Sequence, residues 1–123
     1  MTARSIDPAA DWTAGVPRLL LRSCDQCGRY RYLPSERCET CGSREVTPVP
    51  AAGSGLCVAR TRLAARGDAA EPVVLVLVEL DEGPVAMGRA DPGVAPGDRV
   101  HVRFGSLPAA GPLVPFFSGE DRP

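Results

Sequence analysis

The chain has 123 residues, of which 44% are hydrophobic and only 5% aromatic, and its formal net charge is −1. This length is sufficient for one modest domain and a small additional module. The 13 glycines and 13 prolines argue against long helices. The longest apolar run, 73–78, is too short to span a membrane, and residues 1–12 lack the apolar stretch of a secretory signal, so we expect a cytoplasmic protein without membrane contact.

The small net charge hides an uneven distribution. All 14 basic residues are arginines, and nine of them lie between positions 18 and 66 with only four acidic residues. Beyond position 66 there are nine acidic residues and four arginines. The first half can therefore attract phosphate groups or an acidic partner, although a merely solvated basic surface explains the same composition.

Residues 1–16 are expected to form an N-terminal arm. The segment 8–14 has the composition of a short helix that would end at Gly15. Trp12 is the only tryptophan of the chain, and we expect it to anchor the arm on the rest of the protein.

Four cysteines form two matched motifs in residues 17–50. Each motif reads Cys-x-x-Cys-Gly, and ten residues separate the two; the cysteines are Cys24, Cys27, Cys38 and Cys41. The glycine after each pair allows a positive φ, so that backbone N–H groups can point at the sulfurs. Two such motifs predict a four-thiolate metal site, while two disulfides or redox pairs are the alternative.

Zinc is the expected ion, because it accepts four thiolates and has no redox chemistry. Iron is the alternative, since rubredoxins also use paired motifs of this kind. Four protein ligands leave no position for water or substrate, so we predict a structural metal that supports the ribbon's fold. The fifth cysteine, Cys57, lies outside the pattern and is expected to be a small strand residue.

Residues 51–123 show short strands separated by turns at intervals typical of a small β-barrel or sandwich. Strands are predicted at 56–63, 72–80, 85–89, 99–104 and 113–117, with the last at a sheet edge because of Pro112 and Pro115. A polar loop is expected at 64–72, and the C-terminal tail is proline-rich. The fold class predicted is all-β: a rubredoxin-like zinc ribbon with a short helical arm, followed by a five-stranded OB-fold barrel.

One predicted strand, 72–80, is apolar on both faces. A closed barrel buries only one face of a strand, so the second face must be covered by the arm, the ribbon or another protein. We predict that Val74, Val76 and Val78 form an apolar face toward a partner.

The chain resembles a family of zinc-ribbon OB-fold proteins associated with acyl-CoA chemistry, long classed as a domain of unknown function. The likeness rests on both cysteine motifs, on Gly-Arg-Tyr-Arg-Tyr at 28–32 and on Glu-Leu-Asp-Glu-Gly-Pro at 79–84. It implies a structural zinc and a non-catalytic accessory subunit of a thiolase-like or lipid-transfer-protein-like enzyme. The expected assembly is a hetero-oligomer that shares an acyl-CoA between its subunits.

On this hypothesis the subunit docks on an acyltransferase, thiolase or CoA-ester aldolase and helps to organise its acyl-CoA site. Arginines are suited to bind the phosphates of CoA, and the candidates for phosphate or partner contacts are Arg29, Arg31, Arg60 and Arg62. No catalytic residue is predicted.

Two other functions are less compatible with the sequence. Zinc ribbons and OB-folds also bind nucleic acid, but the predicted strands 56–63 and 72–80 contain no aromatic residue on which bases could stack, so no nucleic-acid partner is expected. An independent enzyme is disfavoured because the only histidine, His101, is not accompanied by a nucleophile pattern.

Overall fold

A computed structural model describes residues 7, 9–32, 37–63, 72–106 and 112–120. The predicted all-β class is confirmed: within these residues eight strands form a three-stranded sheet and a closed five-stranded barrel. The expected loop at 64–72 lies outside the described residues apart from Pro72, as do residues 1–6 and 8 of the arm and the last three residues of the tail.

The described part of the arm contains one short 3₁₀ helix, Trp12–Ala14, instead of the longer helix expected at 8–14. Asp11 caps it, because its Oδ1 accepts hydrogen bonds from the backbone N–H of Thr13 at 3.0 Å and from the Thr13 hydroxyl at 2.6 Å. A cap at Asp11 starts the helix four residues later than predicted. The predicted end at Gly15 is confirmed, and its φ of 86° is the left-handed conformation that glycine adopts readily.

The ribbon sheet has β1 at its centre. Strand β1 (Leu20–Cys24) pairs antiparallel with β2 (Tyr30–Arg31) on one side and with β3 (Val46–Pro50) on the other. Both cysteine motifs lie at the same end of this sheet, because Cys24 pairs with Val46 at the end of the β1–β3 ladder.

The barrel follows the strand order β4-β5-β6-β8-β7 and closes between β4 and β7. All neighbouring pairs are antiparallel except β6 and β8, which are parallel over two residue pairs. This is the Greek-key barrel expected for an OB-fold. The five strands are β4 (Ser54–Leu63), β5 (Val73–Leu80), β6 (Val85–Ala90), β7 (Arg99–Ser106) and β8 (Leu113–Gly119).

Strand β4 pairs with two neighbours and contains a bulge. Its first residues pair with both β5 and β7, and its register with β5 shifts between Cys57 and Ala59, which leaves Val58 unpaired. Such a bulge bends a strand and increases its twist, as a barrel corner requires. Gly55 lies at the corner, where an added Cβ would overlap the carbonyl oxygen of Glu79.

The interior of the barrel is filled by the side chains that point inward from β5, with Phe117 opposite them. Val74, Val76 and Val78 are 4%, 1% and 0% exposed. The prediction that these three valines face a partner is therefore wrong. The alternate residues of β5 point outward, and this set is apolar as far as Leu77, so that only Glu79 near the end of the strand marks it as the outer one.

Strand β8 is not an edge strand, in contrast to the prediction. It pairs with β7 from Leu113 to Gly119 and closes the barrel against β6. The parallel ladder with β6 begins only at Phe116, so Pro115, which has no N–H, lies just before it. The alternation predicted for β7 is confirmed, since Val100 is buried while His101 is exposed.

The ribbon and the barrel share a core. Leu19 and Leu21, which flank the start of β1, belong to the same buried cluster as Phe117 and the β5 valines. Glu82, in the turn between β5 and β6, adds a polar link because its Oε2 accepts a hydrogen bond of 2.9 Å from the backbone N–H of Ala52.

Candidate metal centre and flanking surfaces

The two cysteine motifs adopt nearly the same backbone conformation. Gly28 and Gly42 have φ angles of 77° and 78°. Each glycine N–H donates a 2.8 Å hydrogen bond to the carbonyl of the first cysteine of its motif, Cys24 or Cys38. These turns bring the side chains of each Cys-x-x-Cys pair to the same side, which is the reason why the motif needs glycine at this position.

The four cysteine sulfurs form one cluster, with all of them within 4.8 Å of one another. The shortest contacts run between the two motifs: Cys24 to Cys41 at 3.5 Å and Cys27 to Cys38 at 3.6 Å. Zinc–sulfur bonds of about 2.3 Å in a tetrahedron place sulfurs about 3.8 Å apart, so the four residues fit a zinc ion. All four thiols are free, and pairing within each motif is not observed.

The sulfurs strongly influence one another's ionisation. Backbone N–H groups of Cys41 and Thr40 lower the pKa of Cys38 to about 6. For Cys41 the N–H of Ser43 acts in the same direction, but the neighbouring Cys24 thiol, burial and the remaining thiols together raise its pKa to about 11. The first proton thus leaves easily and the last only with difficulty, and a bound dication is the charge that would keep all four as thiolates.

Cys57 lies apart from this cluster, within β4, and is completely buried. Burial raises the pKa of its thiol, and its Sγ contacts the carbonyl oxygen of Ala59 at 3.4 Å. This is the environment of an inert core thiol, as expected from its position in a strand.

The four candidate arginines do not form one site. Arg29 and Arg31 line a cleft of about 430 Å³ between the first motif and the β5–β6 turn, and Arg31 is ion-paired with Glu39. Arg60 and Arg62 line a different groove, of about 570 Å³, at the end of the barrel. Arg89, which the sequence analysis did not single out, also lines this second groove.

Trp12 packs against the barrel core, and its indole N–H donates a 3.0 Å hydrogen bond to the hydroxyl of Tyr32. Burial raises the pKa of Tyr32. The arm is further held by Arg18, whose guanidinium donates to the carbonyl oxygens of Ala10 and Asp7, both at 2.8 Å. Trp12 therefore contacts both the ribbon and the barrel.

An apolar surface lies on the outside of the β5–β6 pair, and we call it the outer hairpin face. It consists of Leu77, Val85 and Met87, which are 39%, 48% and 57% exposed. Leu77 and Met87 are directly opposite each other in the ladder. Tyr30, 42% exposed, continues this surface onto the ribbon, since it lines a cleft together with Val85.

The outer hairpin face was not predicted, although the sequence of β6 carries a signal for it. Large and small residues alternate there, and the small ones point inward: Ala86 is 1% exposed, and a Cβ on Gly88 would lie 2.8 Å from the ring of Phe117. Because Phe117 takes the interior space, Val85 and Met87 point outward.

His101 does not belong to a catalytic arrangement in the described part of the chain. Its Nδ1 lies 2.9 Å from the hydroxyl of Ser54 on the neighbouring strand β4. No carboxylate of a described residue is hydrogen-bonded to this histidine, so the orienting group that activates a Ser–His pair is not present among them.

The fold and the cysteine cluster define a class of protein, namely a rubredoxin-like zinc ribbon joined to an OB-type barrel. Residues 12–47 match the family model described as "ChsH2, rubredoxin-like zinc ribbon domain". A chain of the structure "Ltp2-ChsH2(DUF35) aldolase" is similar over 83% of this chain and 84% of that chain, with 28% sequence identity and a TM-score of 0.70.

A second similar structure is a protein of unknown function from the DUF35 family of Sulfolobus solfataricus. It has 15% identity and a TM-score of 0.58, and the similarity covers 84% of this chain and 76% of that chain. At this identity the likeness concerns the fold alone. Together these findings confirm the resemblance to the zinc-ribbon OB-fold family and a structural zinc as the expected ion.

Two further observations complete the comparison. No curated protein matches this chain significantly in sequence. Among the described residues there is no helix of the length and hydrophobicity needed to cross a membrane.

Proposed function

We propose that this protein is a non-catalytic accessory subunit that docks on a thiolase-like or lipid-transfer-protein-like enzyme and helps to organise its acyl-CoA site. The observation that carries the proposal is the similarity, over most of both chains, to a chain of an aldolase whose description pairs Ltp2 with ChsH2(DUF35). The proposal places the protein in the reducing cytoplasm, where thiolate ligands persist.

The outer hairpin face is the docking surface in this proposal. Leu77, Val85 and Met87 are large, apolar and exposed on adjacent strands, and Tyr30 extends the surface across the ribbon. Neighbouring apolar side chains of this kind mark a protein–protein contact more often than scattered single residues do. The enzyme would cover the ribbon and barrel together, so an ordered zinc ribbon would be a condition for docking.

The charge distribution supports acyl-CoA as the shared ligand. Arg29 and Arg31 border one cleft, and Arg60 and Arg62 border another, so each pair offers guanidinium groups to phosphates or to an acidic segment of the partner. A nucleic-acid partner is not favoured, because the barrel strands β4 and β5 carry no aromatic side chain for base stacking.

Co-expression with the proteins encoded beside it tests the proposal. A tagged, full-length chain should retain a thiolase-like protein in fixed stoichiometry through size-exclusion chromatography with light scattering. The double variant Leu77→Glu/Met87→Glu should lose this partner, because docking would bury two carboxylates in an apolar contact.

Leu63→Glu is the matched control. Leu63 is 47% exposed and lies at the far end of β4, opposite Val73. This variant should retain the partner. Absence of any thiolase-like partner from the wild-type complex, or turnover of acyl-CoA esters by the single chain alone, would contradict the proposed function.

A further inference from the structure

The groove at the end of the barrel gathers positive charge that the described part of the chain leaves uncompensated. Arg60 and Arg62 reach it from β4, and Arg89 reaches it from β6. Asp91 is the carboxylate among the residues that line it, and this group is already ion-paired with Arg103 at 3.3 Å. Among the described residues no carboxylate lies within ion-pair distance of the three groove arginines.

The donors of these arginines are also largely unused. Arg60 donates one hydrogen bond, from Nη2 to the carbonyl oxygen of Pro92 at 3.1 Å. A guanidinium has five N–H donors, so most of its capacity is left for a ligand. The side chains of Arg62 and Arg89 have no hydrogen bond to another described residue. Cations that line one groove repel one another, and a multiply charged anion between them removes that cost.

Phe116 gives the groove a fixed wall. The guanidinium carbons of Arg89 and Arg103 lie 5.9 Å and 4.9 Å from the centre of its ring. Contact with an aromatic ring limits the conformations of an arginine side chain, and the rigid β-strands on either side fix the ring itself. Of these two arginines Arg89 lines the groove, and it is thereby held in place before a ligand arrives. This lowers the entropic cost of binding.

We infer that this groove is a binding site for the phosphate groups of a small, nucleotide-sized ligand, with Arg60, Arg62 and Arg89 as the anion-binding residues. Its volume of about 570 Å³ exceeds what a single phosphate ion needs and falls within the range of small-molecule sites. The inference deepens the proposed function, because a CoA ester ends in a phosphorylated adenosine. The same chemistry would also accept a free nucleotide.

Calorimetric titration of the full-length, zinc-loaded chain tests the site with three probes: adenosine 3′,5′-bisphosphate, ADP and inorganic pyrophosphate. Saturable binding that weakens with salt is expected. Stronger binding of adenosine 3′,5′-bisphosphate than of ADP would identify the CoA nucleotide as the source, and the reverse order would identify a free nucleotide; both results support an anion site.

The variant Arg62→Gln/Arg89→Gln should bind the probes at least about tenfold more weakly, because each guanidinium contributes charge-assisted hydrogen bonds. Arg44→Gln removes one positive charge from an exposed position on the ribbon and should leave the affinity within about twofold. Unchanged melting temperatures of the variants would exclude unfolding as the cause.

Three results would overturn the inference: no saturable binding of any probe, an equal loss in Arg44→Gln, or preferential binding of a single-stranded oligonucleotide through the same arginines. Loss of the partner enzyme in Arg62→Gln/Arg89→Gln, without binding of any phosphate probe to the wild type, would assign the groove to an acidic partner instead. Probe binding by a chain that captures no thiolase-like enzyme would refute the proposed function but leave the phosphate site standing.

Discussion

Replacing Cys38 by serine should unfold the cysteine motifs while the barrel stays folded. Of the described residues 37–45, only Cys38 is buried, so the second motif has almost no apolar contact that could replace the metal. Structural zinc sites are worth about 10–16 kcal/mol of apparent binding free energy, and this stabilisation would be lost. Order in both motifs and in β2 is therefore expected to disappear.

The barrel has its own source of stability. Its buried cluster runs from Val74 to Phe117 and is joined by Leu19 and Leu21, which hold β1 in place without the metal. At about 0.05–0.15 kcal/mol per residue, a barrel of roughly 70 residues is stable by about 4–10 kcal/mol. Amide protons of β5 and β6 should therefore keep protection of this size in the variant, and those around Cys24 and Cys38 should exchange almost freely.

Hydrogen exchange measured by mass spectrometry checks which segments stay folded. The thiolate-to-cobalt absorption of the Co²⁺-substituted protein checks whether the metal is still bound. Cys57→Ser is the matched control, because it replaces the same sulfur by oxygen in a cysteine that lies outside the cluster. It should lower stability because the thiol is buried, yet keep the cobalt spectrum. Stoichiometric metal in Cys38→Ser would refute the ligand assignment. Loss of protection in β5 together with the motifs would refute the independence of the barrel.

Three further outcomes are expected. Gly55→Ala should lower the free energy of unfolding by about 2–3 kcal/mol, measured by urea denaturation, because its Cβ would overlap the backbone of Glu79 at the barrel corner. Phe117→Ala should cost about 3–5 kcal/mol in the same assay, since its ring is fully buried. Burial raises the pKa of the Tyr32 phenol above its usual value of 10. Folding therefore favours the protonated phenol, and this preference contributes fully to stability below pH 10. The contribution is lost as the pH rises through the raised pKa of the folded state. Trp12 fluorescence and phenolate absorbance at 295 nm should change together in that alkaline range, and a phenolate transition complete by pH 10 would contradict the role of burial.

The parts of the architecture that could be predicted are those whose local pattern strongly favours one interpretation. The spacing of Cys24, Cys27, Cys38 and Cys41 specifies four ligands on one ion, and the sulfurs lie together as expected. The alternation from Arg99 to Phe104 has only one apolar side, so the buried face of β7 followed directly from the sequence.

The errors occurred where a local pattern allows two interpretations. In β5 both sides are apolar as far as Leu77, and Glu79 alone marks the outer side, on which Leu77 also lies, while Val76 belongs to the core. In β8, Pro115 suggested an edge, but whether a strand lies at an edge is decided by its pairing with distant β6. Arg60 and Arg89 lie on β4 and β6, the two neighbours of β5, and their proximity depends on the pairing of all three strands, which no local pattern shows.

The small interior of the barrel also bears on how such proteins diversify. Phe117 leaves room only for Ala86 and Gly88 on the inner side of β6, and the bulky side chains of that strand, Val85 and Met87, occupy positions that the core does not constrain. If the outer hairpin face docks an enzyme as proposed, substitutions at these positions would alter which enzyme is recognised without loss of folding stability. On that proposal, related chains could change their enzyme partner while they preserve the same scaffold.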